Sequence, residues 1–440
     1  MFKKKIKSLD KSYSGEIFFQ KPDKYREIEK LSSKFDNLNT MGSCNSYAPA
    51  SFKKNTFSME FTKFNRIIEF DKNNQLITVE AGIKLYELFN FTLLHGLWLP
   101  QIPGYPSITI GGIIASNSHG KSCGFHGTIK RQVRKIKLFH KINGWLNLSD
   151  NENKNIFDLT IGGLGLTGTI VEVQLKLENF LANNFITKID ETYSSKDTLN
   201  KMNFNTDKEI FYYSWNRSDN FQNFGKGLIF KNEINLNKIS NNKIKIKLKE
   251  NKINKNFLIN FWNKYSINLA QTLYHNYFKI FKSKKYEEDF QSVIFPFTGK
   301  EFYFKLFGKK GFIETQIIVP LNKKEIFIDE VEFLYKKHNP QITLYSLKNF
   351  KGEKNYLRFE DNGVCFTFDF TRSNKNLSFI NELDKICEKY QLTPSIIKDS
   401  RLKLETIKKC YYDYDKFKDE IFKFDTKRTY KSALTDKLMI

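Results

Sequence analysis

Two glycine-bearing stretches hold the residues whose types and spacing suit binding chemistry. Residues 101–128 read QIPGYPSITIGGIIASNSHGKSCGFHGT and gather six of the 22 glycines and two of the six histidines. Gly111 and Gly112 follow a short apolar run, and Ser116, His119, Gly120 and Lys121 come directly after it. Paired glycines beside hydroxyl side chains let backbone approach a ligand closely, leaving N–H groups free to bind a polyanion. In a chain dominated elsewhere by Lys, Phe, Asn and Ile, this stretch is the expected cofactor cradle. A second loop, Gly42-Ser43-Cys44-Asn45-Ser46-Tyr47, also carries glycine and serine. Two look-alikes fail their context. Residues 163–168 match the dinucleotide fingerprint G-x-G-x-x-G, which needs a helix after the glycines. The alternating, β-branched run from Thr169 reads as a strand instead. Gly120-Lys121-Ser122 lacks the glycine that a phosphate loop needs five residues earlier, where Ala115 stands.

These residues need a scaffold, and the chain is long enough to supply one. Its 440 residues allow two or three domains, and 40% hydrophobic with 15% aromatic residues excludes disorder. No apolar run of about 18 residues is present, and MFKKKIK has no apolar region behind it to make a secretory signal. Five scattered cysteines without a C-x-x-C pair argue for reduced thiols, against a disulfide frame and against a metal site. The net charge of +24 has two readings, attraction to phosphates or a lysine-heavy composition spread over the surface; residues 243–255 and 279–285 are denser in lysine. Strands are expected at 16–20, 75–81 and from 169, and helices at 22–34 and 85–94. From about 180 glycine thins out. Strand-like runs at 209–214, 227–231, 313–319, 342–346 and 364–370, with helices at 256–281 and 377–390, read as a second α+β unit. Residues 398–440 read as a helical, aromatic tail.

Two glycine loops, a middle region and a short tail form a layout that resembles the vanillyl-alcohol-oxidase-like FAD proteins. Within them, the motifs resemble the decaprenylphosphoryl-β-D-ribose 2-oxidase family. They are Gly96-Leu-Trp-Leu-Pro-Gln-Ile-Pro-Gly104, Thr109-Ile-Gly-Gly-Ile-Ile-Ala115, His119-Gly-Lys121, Gly162-Gly-Leu-Gly-Leu-Thr-Gly168 and Lys398-Asp-Ser-Arg401. They fall in matching order across almost the whole chain. The resemblance implies an α+β protein with a PCMH-type two-lobed FAD-binding domain at 1–180. It also implies an α+β substrate domain with an antiparallel sheet at 181–395, and a segment at 396–440 returning to the FAD domain.

The resemblance further implies that Gly42, Ser43, Cys44, Asn45, Ser46 and Tyr47 wrap the FAD diphosphate. Gly104, Tyr105, Ser107, Gly111, Gly112, Ser116, His119, Gly120 and Lys121 would line the cofactor, and Gly168 and Ile170 would pack near it. Covalent relatives attach FAD through a histidine in the first loop; Asn45 occupies that place, so non-covalent FAD is expected. Lys398 matches the active-site lysine, with His119 beside the flavin. Trp215, Glu314, Gln316, Lys348, Phe350, Cys365 and Thr367 would line the substrate pocket. Glu314 stands where the family has a second glutamine, Ser395 where it has an aromatic, and Thr367 where it has a cysteine that inhibitors target.

The implied activity is FAD-dependent oxidation of a sugar ring hydroxyl to a ketone on a polyprenyl-phosphate-linked pentose. A short-chain reductase partner would complete an epimerisation in glycan synthesis. The expected location is cytoplasmic, with peripheral contact at the inner face of the membrane. The alternative is an alditol or aldonolactone oxidase releasing hydrogen peroxide, although its usual His-Trp-x-Lys signature is missing from the tail. No nucleic-acid-binding motif is recognisable, and no nucleic-acid partner is expected.

Overall fold

The computed structural model describes residues 2–101, 103–180, 182, 184–202, 211–235, 244, 246–247, 259–282 and 284–440. Three main sheets are built in chain order. The first runs Phe2–Lys7, Ser14–Gln20, Phe57–Glu60, Leu38–Met41, antiparallel in its first pair and parallel in the other two. The second is antiparallel: Ile67–Asp71, Leu76–Glu80, Thr169–Lys176, Val133–His140, Gly144–Ser149. The glycines of 163–168 therefore feed the central strand of this sheet. That strand follows from its alternating burial, and no helix is there to receive a diphosphate.

The third sheet has eight antiparallel strands in the order Lys285–Asp289, Asn184–Thr192, Gly227–Ile234, Phe211–Asn216, Ile342–Phe350, Gly363–Thr371, Phe312–Pro320, Thr393–Pro394. Every residue of Gly363–Thr371 is buried, so both faces of the sheet's middle are covered. Phe366, Phe368 and Phe370 point to one face. There they join one core with Phe327, Val331 and Leu334 of the helix Lys324–His338, and with Phe379, Ile380 and Leu383 of Asn374–Tyr390. The other face carries Cys365, Thr367 and Asp369, which follows from period-two alternation.

The tail closes back on the start of the chain. Leu38 N–H donates to Thr429 O at 2.8 Å and Lys431 N–H to Leu38 O at 3.1 Å, adding Tyr430 beside the first sheet. Helices Leu404–Cys410 and Tyr414–Phe424 bury Ile407, Cys410, Phe417 and Ile421 in the largest core, so the tail is structural rather than a polar appendage.

Some boundaries differ from expectation. The first helix is Tyr25–Ser33, and Pro22 lies before it, in a turn where the Glu27 carboxylate accepts from Asp23 N–H at 2.9 Å. The helix expected at 256–281 is Lys264–Lys279 in the described residues, while 256–258 lie outside them; so do 209–210 of the strand expected at 209–214. The lysine-dense run 243–255 also falls almost entirely outside them. In the other dense run, Lys279 and Lys282 both pair with Glu191, at 2.9 and 2.8 Å. Among the described residues, no helix is long and apolar enough to cross a membrane.

Candidate functional site

The first loop leaves strand Leu38–Met41 and meets the second at close range. A Cβ on Gly42 would lie 2.1 Å from Thr109 Oγ1, so only glycine lets the chain pass. Thr109 caps the short helix Ile110–Ala115, accepting from Gly112 N–H at 3.4 Å, and Asn45 Nδ2 donates to Ser107 Oγ at 2.9 Å. Among the described residues, none of the backbone N–H groups of residues 43–47 donates to a protein acceptor, and the enclosed Ser43 hydroxyl has no partner. A run of free donors at a sharp turn is an anion cradle. Burial pushes the Cys44 thiol up to about 11, so it is not a nucleophile near neutral pH.

The second stretch is fastened from outside. Asn117 Nδ2 and Thr128 Oγ1 donate to the two Glu360 oxygens at 3.0 and 3.1 Å, while Ser116 Oγ donates to Gly112 O at 2.7 Å. Gly104 faces Pro296, and burial raises the neighbouring Tyr105 phenol. Lys121 sits with its Nζ 4.0 Å from the Tyr213 ring centroid and 3.2 Å from Val293 O. Burial pushes this lysine down to about 7.

The polar face of the large sheet carries most of the expected substrate residues. Glu314 pairs across strands with Asp369, Gln316 with Thr367, and Lys348 with Cys365. Gln316 Nε2 donates to Glu314 Oε1 at 2.8 Å, and the Gln316 amide also faces the His119 ring. Lys348 Nζ lies 3.1 Å from His119 Nδ1, and the His119 ring packs 5.2 Å from both Phe350 and Phe359. Burial, with Lys348 and Lys398 nearby, holds His119 well below the ordinary imidazole value. The ring is therefore neutral and its Nδ1 accepts from the Lys348 ammonium.

Lys398 completes this face. Its Nζ is 3.3 Å from Glu314 Oε1 and 3.6 Å from the Tyr47 ring centroid. The motif around it is a clasp. Arg401 bonds Asp384 at 2.6 and 2.9 Å and Asp399 at 2.7 Å, Thr315 Oγ1 donates to Asp399 Oδ2 at 2.6 Å, and the Ser400 hydroxyl donates to Asp10. Asp399, Ser400 and Arg401 thus fix the turn, and Lys398 is the member presented to the polar face. One point of the molecule joins the first loop through Tyr47, the large sheet through Glu314 and the tail through Lys398.

Sequence reasoning missed two groups here. Asp369 lies beside Glu314, and Tyr303 Oη donates to its Oδ2 at 2.8 Å. Burial, with the Glu314 charge alongside, raises Asp369 well above the carboxylate range, so it keeps its proton. The available signal was alternation: Cys365, Thr367 and Asp369 form a polar line opposite three phenylalanines in one strand. Trp215, Gly168 and Ile170 belong to other parts of the fold. Trp215 packs 4.4 Å from the Tyr274 ring, on the wall that also holds Tyr213. Gly168 has φ +129°, and a Cβ there would meet Phe139 O at 2.6 Å, so packing alone explains it. Ile170 is buried in the core of the second sheet. Cys365 and Thr367 share a face, with Sγ and Oγ1 3.9 Å apart.

Comparison with known proteins bears on the loops. Residues 19–146 match the family described as an FAD binding domain. The decaprenylphosphoryl-beta-D-ribose oxidase of Mycolicibacterium smegmatis is 32% identical over 142 residues, covering 32% of this chain and 31% of that protein. Mouse (Mus musculus) L-gulonolactone oxidase is 29% identical over 162 residues, 36% of each chain. L-galactono-1,4-lactone dehydrogenase 2 of Oryza sativa subsp. japonica is 29% identical over 130 residues, 29% of this chain and 22% of that one. The chain thus matches about a third or less of the length of these relatives. The mixed helix-and-sheet architecture is that of a PCMH-type FAD fold, and FAD is its cofactor. The free N–H groups of 43–47 and the unpartnered Ser43 hydroxyl suit its diphosphate.

Proposed function

We propose that this protein is an FAD-linked oxidoreductase that oxidises a secondary ring hydroxyl of a sugar to the ketone. The substrate in this reading is a polyprenyl-phosphate-linked pentose, and a separate short-chain reductase would reduce the product to complete an epimerisation in glycan synthesis. The observation that carries it is the position of Lys398, on the polar face beside Glu314 and over the ring of Tyr47. FAD, when bound, supplies a two-electron acceptor for the carbinol hydrogen, which leaves as hydride. The hydroxyl proton must leave in the same oxidation; Lys398 Nζ is placed to donate to that oxygen and the Glu314 carboxylate beside it to take the proton. Gln316, buried on the polar face between Glu314 and His119, suits a sugar hydroxyl. Lys348, held by neutral His119, suits the phosphate, with Phe350 beside it.

In this reading residues 1–180 with 396–440 hold the flavin, and 181–395 present the substrate. The closure of the tail onto Leu38 and the mainly separate sheets support that division. FAD is held non-covalently: Asn45 replaces a histidine anchor, and Cys44 is kept protonated by burial. Working at the inner face of the membrane follows from a lipid-linked substrate. The similarity to lactone oxidases and dehydrogenases favours a second reading, oxidation of a free aldonolactone or alditol with release of peroxide.

The test has two steps. Visible absorbance of the purified protein, then of the supernatant after acid precipitation, should place the flavin bands in the supernatant; a yellow pellet refutes non-covalent binding. Next, Lys398→Ala should keep its flavin yet lose on the order of a hundredfold or more in kcat on the lipid-linked sugar. Peroxide formation from a free lactone, with no turnover of the lipid-linked sugar, would decide for the second reading.

A further inference from the structure

The helix Lys264–Lys279 carries apolar residues on its outward side as well as on the side that packs against Trp215 and Phe230. Its inward side buries Ile267, Gln271 and His275, and both polar members face partners there. Gln271 accepts from Ser218 N–H at 2.7 Å and donates to Ser218 Oγ at 3.0 Å, while His275 Nε2 lies 3.5 Å from Glu191. The side turned to solvent carries Tyr265 (83% exposed), Leu269 (61%), Leu273 (61%), Tyr277 (58%) and Ile280 (67%). Spaced by three or four residues, these five form one continuous line on a helix of 3.6 residues per turn. A soluble surface helix would place polar residues along that line, so this one is shaped to meet something apolar.

The charges around the line select what it meets. From Asn260 to Tyr286 the chain has five lysines, at 264, 279, 282, 284 and 285, and no acidic residue. Glu191 answers two of them, Lys279 and Lys282, and keeps a single negative charge between them. Two copies meeting through this face would bring these lysines together in a protein of net charge +24. An anionic lipid surface answers both features, taking the leucines into its acyl boundary and the lysines at its headgroups. Tyrosines at positions 265 and 277 suit the interfacial level between the two.

We propose that the outward face of Lys264–Lys279 docks on an anionic lipid surface. The helix covers the wall of the large sheet that holds Trp215 and Tyr213, with Tyr274 4.4 Å from Trp215 and Lys121 over Tyr213. Docking there sets that wall, and the Lys121 side of the site, against the membrane. The inference stands on the helix itself and does not need the flavin reading.

Sedimentation with vesicles of phosphatidylglycerol and phosphatidylcholine in equal parts, against pure phosphatidylcholine, tests it on the full chain. The protein should pellet with the mixed vesicles and less with the neutral ones. Added salt should release it in part. Leu269→Glu/Leu273→Glu should weaken binding by about tenfold or more, since charges replace two leucines that enter the acyl boundary on docking, while circular dichroism and flavin content stay at the wild-type level. A milder variant, Lys284→Gln/Lys285→Gln, should narrow the preference for anionic lipid. Wild-type protein that ignores both vesicles overturns the proposal, as does a leucine variant that binds unchanged. So does a monomer–dimer equilibrium abolished by the leucine variant, which would make the face a contact between copies. A yellow protein that ignores vesicles removes the docking face alone, whereas a colourless one that binds them removes the oxidoreductase reading alone.

Discussion

Glu314 and Asp369 stand opposite one another on neighbouring strands, where burial favours the protonated form of Asp369. Lys398 lies 3.3 Å from Glu314, while Tyr303 donates to Asp369 from the other side. Two carboxylates in such proximity cannot both ionise cheaply, and burial assigns the proton to Asp369. The linkage has a definite sign. The native pKa of Asp369 is raised, so the folded protein keeps a proton that the unfolded chain releases above about pH 4. Its stabilising contribution is complete below that pH and is lost as pH rises toward the raised native value. Asp369→Asn removes this loss. The stability of the variant relative to wild type should therefore grow with pH, by about 1.4 kcal/mol per unit within that window. Urea denaturation of both proteins at several pH values between 5 and 8 measures it. A difference that stays flat would mean that no proton is held there.

The element that presents Lys398 is the turn after Thr393–Pro394. Arg401 spans Asp384 on helix Asn374–Tyr390 and Asp399 within the turn, and all three are largely buried. Removing the cation leaves two enclosed carboxylates without a partner, which costs about 3–5 kcal/mol for a buried pair. Arg401→Met should lower the free energy of unfolding, read from urea denaturation, by that margin. It should also reduce turnover more than substrate binding, because Lys398 loses its fixed position while Gln316 and Lys348 keep theirs. A loss below about 1 kcal/mol would put this ion pair with exposed surface pairs and against a clasp. The same logic accounts for the motif as a whole. A sequence pattern that reads as catalytic is, for three of its four residues, a fastening.

At the scale of the molecule, the first and last segments form one unit. Thr429 and Lys431 bond the two sides of Leu38, Ala433 N–H donates to Phe52 O, and Leu434 N–H to Pro49 O. These bonds bracket the strand and loop that lead to residues 42–47. Deleting residues 426–440 should therefore abolish flavin binding, and Tyr430→Ala should weaken it, because Tyr430 belongs to the core beneath that strand. Flavin absorbance per mole of purified protein is the readout. A truncated chain that retains flavin at the wild-type level would show that the loop does not depend on the tail.

The sequence by itself determined most of the elements. Alternation and glycine placement are local properties, so the strand from Thr169 and the failure of the 163–168 fingerprint could be read without any fold. The glycines at 42 and 111 were also legible as places of close backbone approach, because Thr109 and Ala81 leave little room for a Cβ there. The tertiary structure decided what meets what. Lys398, Glu314 and Tyr47 lie hundreds of residues apart in part, and nothing local says that a tail lysine stacks over a loop tyrosine. The raised Asp369 and the lowered His119 depend on burial and on charges from other strands, which exist only once the sheet is formed. The outward line of Lys264–Lys279 has the same origin. Its apolar spacing is in the sequence, but which side of the helix faces water depended on the two buried polar residues that found partners across the fold.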